Sequence, residues 1–288
     1  MNTSLGSFLS PPGFVGPQGL KALAREGSVM IEGLAHVRHM RAKRKHHEAL
    51  PLHGDHRRVA TTPVLLIPGF MAGDWSLSRM AAGLRLEGFR TYKSHIMVNV
   101  GCTREAVDRL ELRLEAIASA RDSKVLIVGH SLGGMLARGL AARRPDLVAG
   151  IVTMGSPVMA PGAIHRVIAW DAEMLGRLNK AGVPATMSAD CLSGPCAEAA
   201  FEEMQQPLNE VGYTAIFSHR DGIVSSTSCL DPMAQEHVEV KASHVGMALD
   251  PTTFEHVARS LRGFELAMRA SALADPSAVA DLPRRASK

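Results

Sequence analysis

Short apolar runs alternate with amphipathic segments through the middle of the chain. Residues 64–67 and 125–128 contain only valine, leucine and isoleucine, and glycine or proline follows each run. Strands that are buried on both faces have this pattern. Between the two runs, the apolar residues of segment 103–121 recur at helical spacing and leave arginine and glutamate on the opposite face. The alternation predicts an α/β fold, with a mostly parallel sheet and helices on both faces.

Similar patterns extend this alternation along the chain. A helix is predicted from Asp74, a good N-cap, to Gly88, and another follows the second apolar run and stops before Pro145. Further strands are predicted at 91–98, 151–154, 213–217 and 238–241, and a long final helix at about 252–269. Loops at the carboxyl ends of parallel strands carry the chemistry of such folds, so functional residues are expected there.

The segment 157–212 interrupts the alternation. Residues 163–180 carry a broad apolar stripe at helical spacing, and a second helix-like piece spans about 198–204. The stripe consists of Ile164, Val167, Ile168, Met174, Leu175 and Leu178. We predict a helical lid or cap insertion that covers an apolar pocket and excludes water. The alternative is a helix that packs on the flank of the sheet.

Three parts are predicted along the chain: a helical N-terminal segment and connector (1–61), the α/β domain (62–271) and a mobile C-terminal tail (272–288). Apolar positions recur at helical spacing between about 19 and 47, which indicates one or two amphipathic helices. These positions are Leu20, Leu23, Met30, Leu34 and Val37. We expect the N-terminal helices to pack on the α/β domain.

The composition is that of a folded globular protein, with 46% hydrophobic and 21% charged residues among 288. The formal charge of +4 is concentrated in one basic stretch: Arg38, Arg41, Lys43, Arg44, Lys45, Arg57 and Arg58. Such a stretch suits a peripheral contact with an anionic membrane, although a solvated helix end is the simpler interpretation. No nucleic-acid-binding module accompanies it, so we expect no nucleic-acid partner.

Targeting signals are not evident in the sequence. The first twenty residues lack a basic stretch followed by an apolar one, and no apolar run approaches the length of a membrane span. A cytoplasmic location is therefore expected.

Four cysteines occur, at positions 102, 191, 196 and 229. They lack the spacing of a metal site, because no second close pair of Cys or His matches Cys191 and Cys196. We therefore expect no metal. Cys191 and Cys196 flank a Ser-Gly-Pro turn that would allow a small disulfide loop, but a reducing compartment favours free thiols.

Residues 129–133 read Gly-His-Ser-Leu-Gly, with Ser131 at the centre. This matches the nucleophile motif G-x-S-x-G, and its context is the required one, an apolar strand before and a helical pattern after. Small residues are needed two positions before and after the serine, because the chain turns sharply from strand to helix there and neighbouring backbone segments approach closely. Ser131 is the candidate nucleophile; a tight glycine turn without chemistry is the alternative. We interpret His130 as a packing residue.

The chain resembles bacterial lipases and esterases of the α/β-hydrolase fold. The resemblance covers about 62–263 and is carried by Ile-Pro-Gly-Phe at 67–70, Gly-His-Ser-Leu-Gly-Gly at 129–134, and the later Asp and His segments. It implies a triad in the chain order Ser, acid, His, with the acid after the penultimate core strand and the His after the last.

Two residues fit this order. Asp221 lies just past the predicted strand 213–217, and His244 lies just past 238–241. Histidine would take the serine proton, and a buried carboxylate would fix the histidine tautomer. Asp221 as a turn former beside Gly222 and His244 as an ordinary loop residue are the alternatives. Asp231 is the second choice for the acid, and His219, His237 and His256 are weaker candidates for the base.

The same resemblance implies an oxyanion hole made of the backbone N–H groups of Leu132 and Phe70. Lipases usually carry a histidine before the glycine of this segment, where the chain has Pro68. Backbone donors do not need that side chain, so the hole remains feasible. Phe70 as a plain core residue is the alternative.

These features predict a carboxylic ester hydrolase that acts on a small-molecule or lipid-like ester, without a cofactor. An acyltransferase or thioesterase would use the same site, and a non-catalytic binding protein could retain the same fold. Acyl-chain length and oligomeric state have no signature in the sequence.

Overall fold

Within the described residues, six parallel strands form one sheet at the centre of the protein. The computed structural model describes residues 8–49 and 62–274. The strands lie in the order β2-β1-β3-β4-β5-β6, and every neighbouring pair is parallel. Their bounds are β1 Pro63–Ile67, β2 Arg90–Lys93, β3 Val125–His130, β4 Val148–Met154, β5 Gly212–Phe217 and β6 Glu236–Glu239. The predicted mostly parallel sheet is confirmed.

Helices cover both faces of the sheet, as predicted. They are α3 Ser78–Leu86, α4 Thr103–Arg121, α5 Leu132–Arg143 and α9 Pro251–Ala274. Alternate residues of β1 point to opposite faces. Val64 and Leu66 pack in the core beneath α3 and α9, whereas Leu65 and Ile67 pack against α4 and α5. All residues of β1 and β3 are buried, which explains the uninterrupted apolar runs at 64–67 and 125–128.

The insertion between β4 and β5 contains three helices: α6 Arg166–Lys180, α7 Ala189–Ser193 and α8 Pro195–Met204. No residue of α6 is fully buried, although its sequence is strongly amphipathic. Of the predicted stripe, Ile164 and Ile168 line a cavity described below, whereas Val167 and Leu178 are exposed.

Two N-terminal helices, α1 Gly19–Arg25 and α2 Val29–Ala49, are joined by a turn of 3-10 helix at Glu26–Ser28. The predicted apolar face was wrong, because Leu20, Met30 and Leu34 are 62–84% exposed. Instead, α2 buries His36 edge-on against Phe254 of α9, and Lys43 of α2 forms ion pairs with Glu87 and Glu255. The connector at 50–61 lies outside the described residues.

Some element ends differ from the predictions. The strand expected at 91–98 stops at Lys93, because Asp74 accepts hydrogen bonds from the backbone N–H groups of Ser94 and His95 and draws the chain away from the sheet. Helix α9 runs to Ala274, so 272–274 are helical; the rest of the predicted tail lies outside the described residues. None of the described helices combines the length and apolar character needed to cross a membrane.

Candidate active site

Ser131 occupies the turn between β3 and α5 in a strained backbone conformation. Its φ is 54°, a left-handed value that is unusual for a residue with a side chain. A Cβ on Gly129 would meet the Gly133 carbonyl, and one on Gly133 would meet the carbonyl of Ile67. Only glycine therefore fits two positions before Ser131 and two positions after it. This close packing is the physical reason for the spacing of the nucleophile motif.

Asp221 and His244 form a buried pair at the same edge of the sheet. The Nδ1 atom of His244 lies 2.6 Å from Oδ2 of Asp221. The other carboxylate oxygen accepts hydrogen bonds from the backbone N–H groups of Ile223 and Val224, at 2.8 and 2.7 Å. Both side chains are at least 95% buried. The acid is therefore fixed on both oxygens and aimed at the imidazole.

Burial alone would lower the pKa of His244, but the charge of Asp221 and its hydrogen bond outweigh it and raise the pKa above the ordinary value of 6.5. The charge of Glu26 acts in the same direction. Because Nδ1 donates its hydrogen to Asp221, the neutral ring keeps Nε2 unprotonated. That nitrogen is free to accept a proton, as a general base must be.

The end of β4 connects Ser131 with this pair. The Ser131 backbone N–H donates to the Met154 carbonyl at 2.8 Å. The next residue, Gly155, has a φ of 56°, and a Cβ there would lie 3.1 Å from His244 Nδ1 and 3.2 Å from Asp221 Oδ2. Ser131 is therefore bonded to the last residue of β4, and the Asp221–His244 pair packs against the residue that follows it. Gly155, whose lack of a side chain leaves room for the pair, was not identified from the sequence.

His130 contacts His244 rather than acting as inert packing. Its Nε2 donates to the His244 carbonyl at 2.9 Å, and the two ring centroids are 4.9 Å apart. Complete burial, together with the nearby charge of His244, lowers the pKa of His130 to about 4. His130 is therefore neutral near pH 7 and holds the loop of His244 in place.

Phe70 and Leu132 both line the cavity that contains Ser131. Within residues 8–49 and 62–274, neither backbone N–H has a hydrogen-bond acceptor. Leu132 is the first residue of α5, where helix geometry leaves the N–H unpaired. Asn99 fixes the loop of Phe70: its side chain donates to the Pro68 carbonyl at 2.9 Å, and its backbone carbonyl accepts from Met71. The sequence contained no signal for Asn99.

A cavity of about 500 Å³ adjoins Ser131, a volume in the range of small-molecule sites. Its walls come from the loop after β1, from α5 and from the insertion. Apolar lining residues include Phe70, Ile164, Ile168, Leu192 and Met204. Within α6, the cavity-lining residues include Ile168, Ala172 and Gly176, which are spaced by four as on one helix face, together with the charged Glu173, Arg177 and Lys180. The side of α6 that borders the cavity is therefore partly apolar and partly charged.

Two carboxylates from the N-terminal segment bind the loops that carry Asp221 and His244. Glu26 accepts hydrogen bonds from the backbone N–H groups of Gly222 at 2.9 Å and of His244 and Val245 at 3.0 Å. Glu32 accepts from the backbone N–H and the hydroxyl of Ser243, both at 2.8 Å. No local pattern marked these glutamates, because their partners lie about two hundred residues further along the chain.

The alternative residues have other contacts. Asp231 forms a buried ion pair with Arg138 at 2.9 Å and is thus occupied away from His244. His237 contacts the Asp231 carbonyl, His219 contacts Ser226, and His256 contacts Arg259. Of the two candidate acids, Asp221 is therefore the one that contacts the predicted base, His244.

Comparison with known proteins agrees with this architecture. Residues 99–187 match a family described as alpha/beta hydrolase fold. The mature Bacillus licheniformis lipase BlEst2 is similar in structure, with a TM-score of 0.55 and 15% identity over 71% of this chain and 92% of that one. The Paleococcus ferrophilus monoacylglycerol lipase has a TM-score of 0.51 and 18% identity over 73% and 96% of the two chains. No curated protein matches the chain. The protein has the α/β-hydrolase fold.

Proposed function

We propose that the protein is a carboxylic ester hydrolase, a lipase-like esterase, with Ser131 as nucleophile, His244 as base and Asp221 as orienting acid. The observation that carries the proposal is the buried hydrogen bond of 2.6 Å between Asp221 and His244, at the strand edge where Ser131 sits on its strained turn. Few structural roles need a carboxylate-bound imidazole near a half-buried serine on a strained turn.

The reaction proceeds in two acyl-transfer steps. The Ser131 hydroxyl attacks the ester carbonyl while Nε2 of His244 takes its proton. His244 then returns the proton to the alcohol that leaves, and an acyl-enzyme remains. Water attacks this intermediate while His244 accepts a proton from it. His244 then returns that proton to the Ser131 oxygen as the acyl–serine bond breaks, and the carboxylic acid departs. The Phe70 and Leu132 N–H groups bind the oxygen that becomes negatively charged in each step.

The apolar cavity supports an uncharged or lipid-like ester as substrate. Its walls exclude water from an acyl chain, and burial of each methylene contributes about 0.8 kcal/mol. Because α6 borders the cavity without being fully buried, movement of the insertion would admit substrate at little cost to the core.

The decisive test is hydrolysis of p-nitrophenyl esters of graded acyl length by the wild type, Ser131→Ala and His244→Ala. We expect turnover by the wild type and a loss of several orders of magnitude in both variants. Ser119→Ala and His237→Ala are matched controls that should retain activity. Ser119 is exposed near the end of α4, at the opposite edge of the sheet, and His237 does not contact the triad.

A fluorophosphonate probe separates the competing functions. Labelling of the wild type but not of Ser131→Ala, with no ester hydrolysis, would replace the proposal by an acyltransferase or thioesterase, which product analysis with added alcohols or thioester substrates would identify. Absence of labelling in a folded protein would indicate a non-catalytic binding role.

A further inference from the structure

Three cysteine sulfurs meet where the insertion contacts the start of α4. Cys102 directly precedes α4, Cys191 lies in α7 and Cys196 in α8. The Sγ atoms of Cys102 and Cys196 are 3.6 Å apart, those of Cys191 and Cys196 are 4.0 Å apart, and all three lie within 4.8 Å of one another. The sequence spacing did not reveal this group, because Cys102 and Cys196 are 94 residues apart.

These distances fit ligands around one metal ion. A Zn–S bond of about 2.3 Å and a tetrahedral angle place neighbouring sulfurs about 3.8 Å apart. Two of the three separations lie within 0.2 Å of that value, and the third is at most 4.8 Å. A disulfide, with sulfurs about 2.05 Å apart, would join only two of the three and leave an odd thiol.

We propose that Cys102, Cys191 and Cys196 bind one thiophilic d10 metal ion, Zn(II) or Cu(I). Soft thiolate ligands select these ions over Mg²⁺ or Ca²⁺. The three partly buried thiols lose their protons to the buffer as the ion binds. Three thiolates complete a trigonal Cu(I) site, whereas Zn(II) would add water as a fourth ligand.

The ion would connect the insertion to the rest of the domain. Cys102 belongs to the segment before α4, which packs on the sheet, whereas Cys191 and Cys196 belong to the insertion that borders the cavity. Cys191 itself lines that cavity. Metal binding would therefore hold α7 and α8 against α4 and fix one wall of the cavity, independently of any reaction at Ser131.

The test is metal titration of the full-length, phosphine-reduced protein without oxygen. Co(II) is the first probe, because thiolate coordination produces a strong charge-transfer absorption that Zn(II) then displaces; Cu(I) is titrated separately against a chromogenic chelator. The test variants are Cys102→Ser, Cys191→Ser and Cys196→Ser. Cys229→Ser is the matched control, because Cys229 is buried elsewhere and hydrogen-bonds Ser225.

We expect about one equivalent of metal to bind the wild type and Cys229→Ser, and to protect three thiols from alkylation. Each cluster variant should bind the metal more than about 100-fold more weakly. Loss of a residue that only supports a metal ligand typically lowers affinity by about 10- to 100-fold, and loss of a ligand itself should cost at least as much. Circular dichroism identifies any variant that fails to fold, and an alanine variant at the same position replaces it. Binding that persists in the folded Cys102 variants would overturn the proposal, as would a wild type that shows neither thiolate–Co(II) absorption nor competition with the chelator for Cu(I).

Discussion

The carboxylate of Glu26 accepts a hydrogen bond from the backbone N–H of His244 at 3.0 Å, and the same side chain binds Gly222 beside Asp221. One N-terminal glutamate therefore holds both loops of the proposed acid-base pair. Its charge also faces the imidazole and raises the pKa of His244. Glu26 thus acts on the pair both mechanically and electrostatically.

Glu26→Ala should lower kcat/KM for ester hydrolysis by about 10- to 100-fold, because a misplacement of about 1 Å in a catalytic group can cost 100-fold. The matched control is Glu255→Gln. Glu255 pairs with Lys43 and His39 and so joins α2 to α9 without touching either catalytic loop. Equal losses in both variants would show that Glu26 contributes only to general docking of the N-terminal helices.

The pH profile should report the raised pKa of His244. His244 must be neutral to accept the serine proton, so kcat/KM should rise with pH through an apparent pKa above 6.5. Glu26→Gln removes a negative charge that stabilises the imidazolium, and the acidic limb of the profile should move to lower pH. A profile that stays in place in this variant would exclude the electrostatic effect of Glu26.

Gly155→Ala should reduce kcat by about 10- to 100-fold without unfolding the protein. The new Cβ would lie 3.1 Å from His244 Nδ1 and press on the acid-base pair. Gly88→Ala is the matched control, because Gly88 also has a positive φ, of 90°, but a Cβ there would have no neighbour within 4 Å. Each variant carries about 1–2 kcal/mol of backbone strain, so only the contact with the pair distinguishes them.

Asp221→Asn and Asp231→Asn should have opposite effects on activity and stability. Asp221→Asn should lower kcat by about four orders of magnitude, because an amide stabilises the wrong imidazole tautomer. Asp231→Asn leaves Arg138 buried without its counter-charge and should cost about 3–5 kcal/mol in the free energy of unfolding. Kinetics under native conditions and urea unfolding separate the two. A catalytic collapse in folded Asp231→Asn would reopen the choice of acid.

Local periodicity explains why much of the fold was predictable. Most buried residues of β1 and β3 appear as the apolar runs 64–67 and 125–128, and the residues that follow strand ends can be located by counting. Asp221 and His244 were located in this way, with the family resemblance supplying their order. Their roles remain predictions until the variants are assayed.

Contacts between distant segments explain why the rest was not predictable. Glu26, Asn99 and Gly155 resemble ordinary surface or loop residues in sequence, because nothing adjacent to them indicates what they touch. The N-terminal helices show the same limit. Their apolar positions predicted amphipathic helices, but Glu26 and Glu32 hold them to the domain by accepting hydrogen bonds from its loops, and Leu20 stays exposed.

The contact between Glu26 and the His244 loop also has a consequence for biosynthesis. The two residues are 218 positions apart, so the glutamate leaves the ribosome long before its partners exist. At about 5–20 residues per second, that interval lasts roughly 10–45 seconds. The nucleophile turn can form in the meantime, whereas the acid-base pair gains its support only when Glu26 meets the His244 loop. A nascent chain would therefore stay latent until that loop has been synthesised.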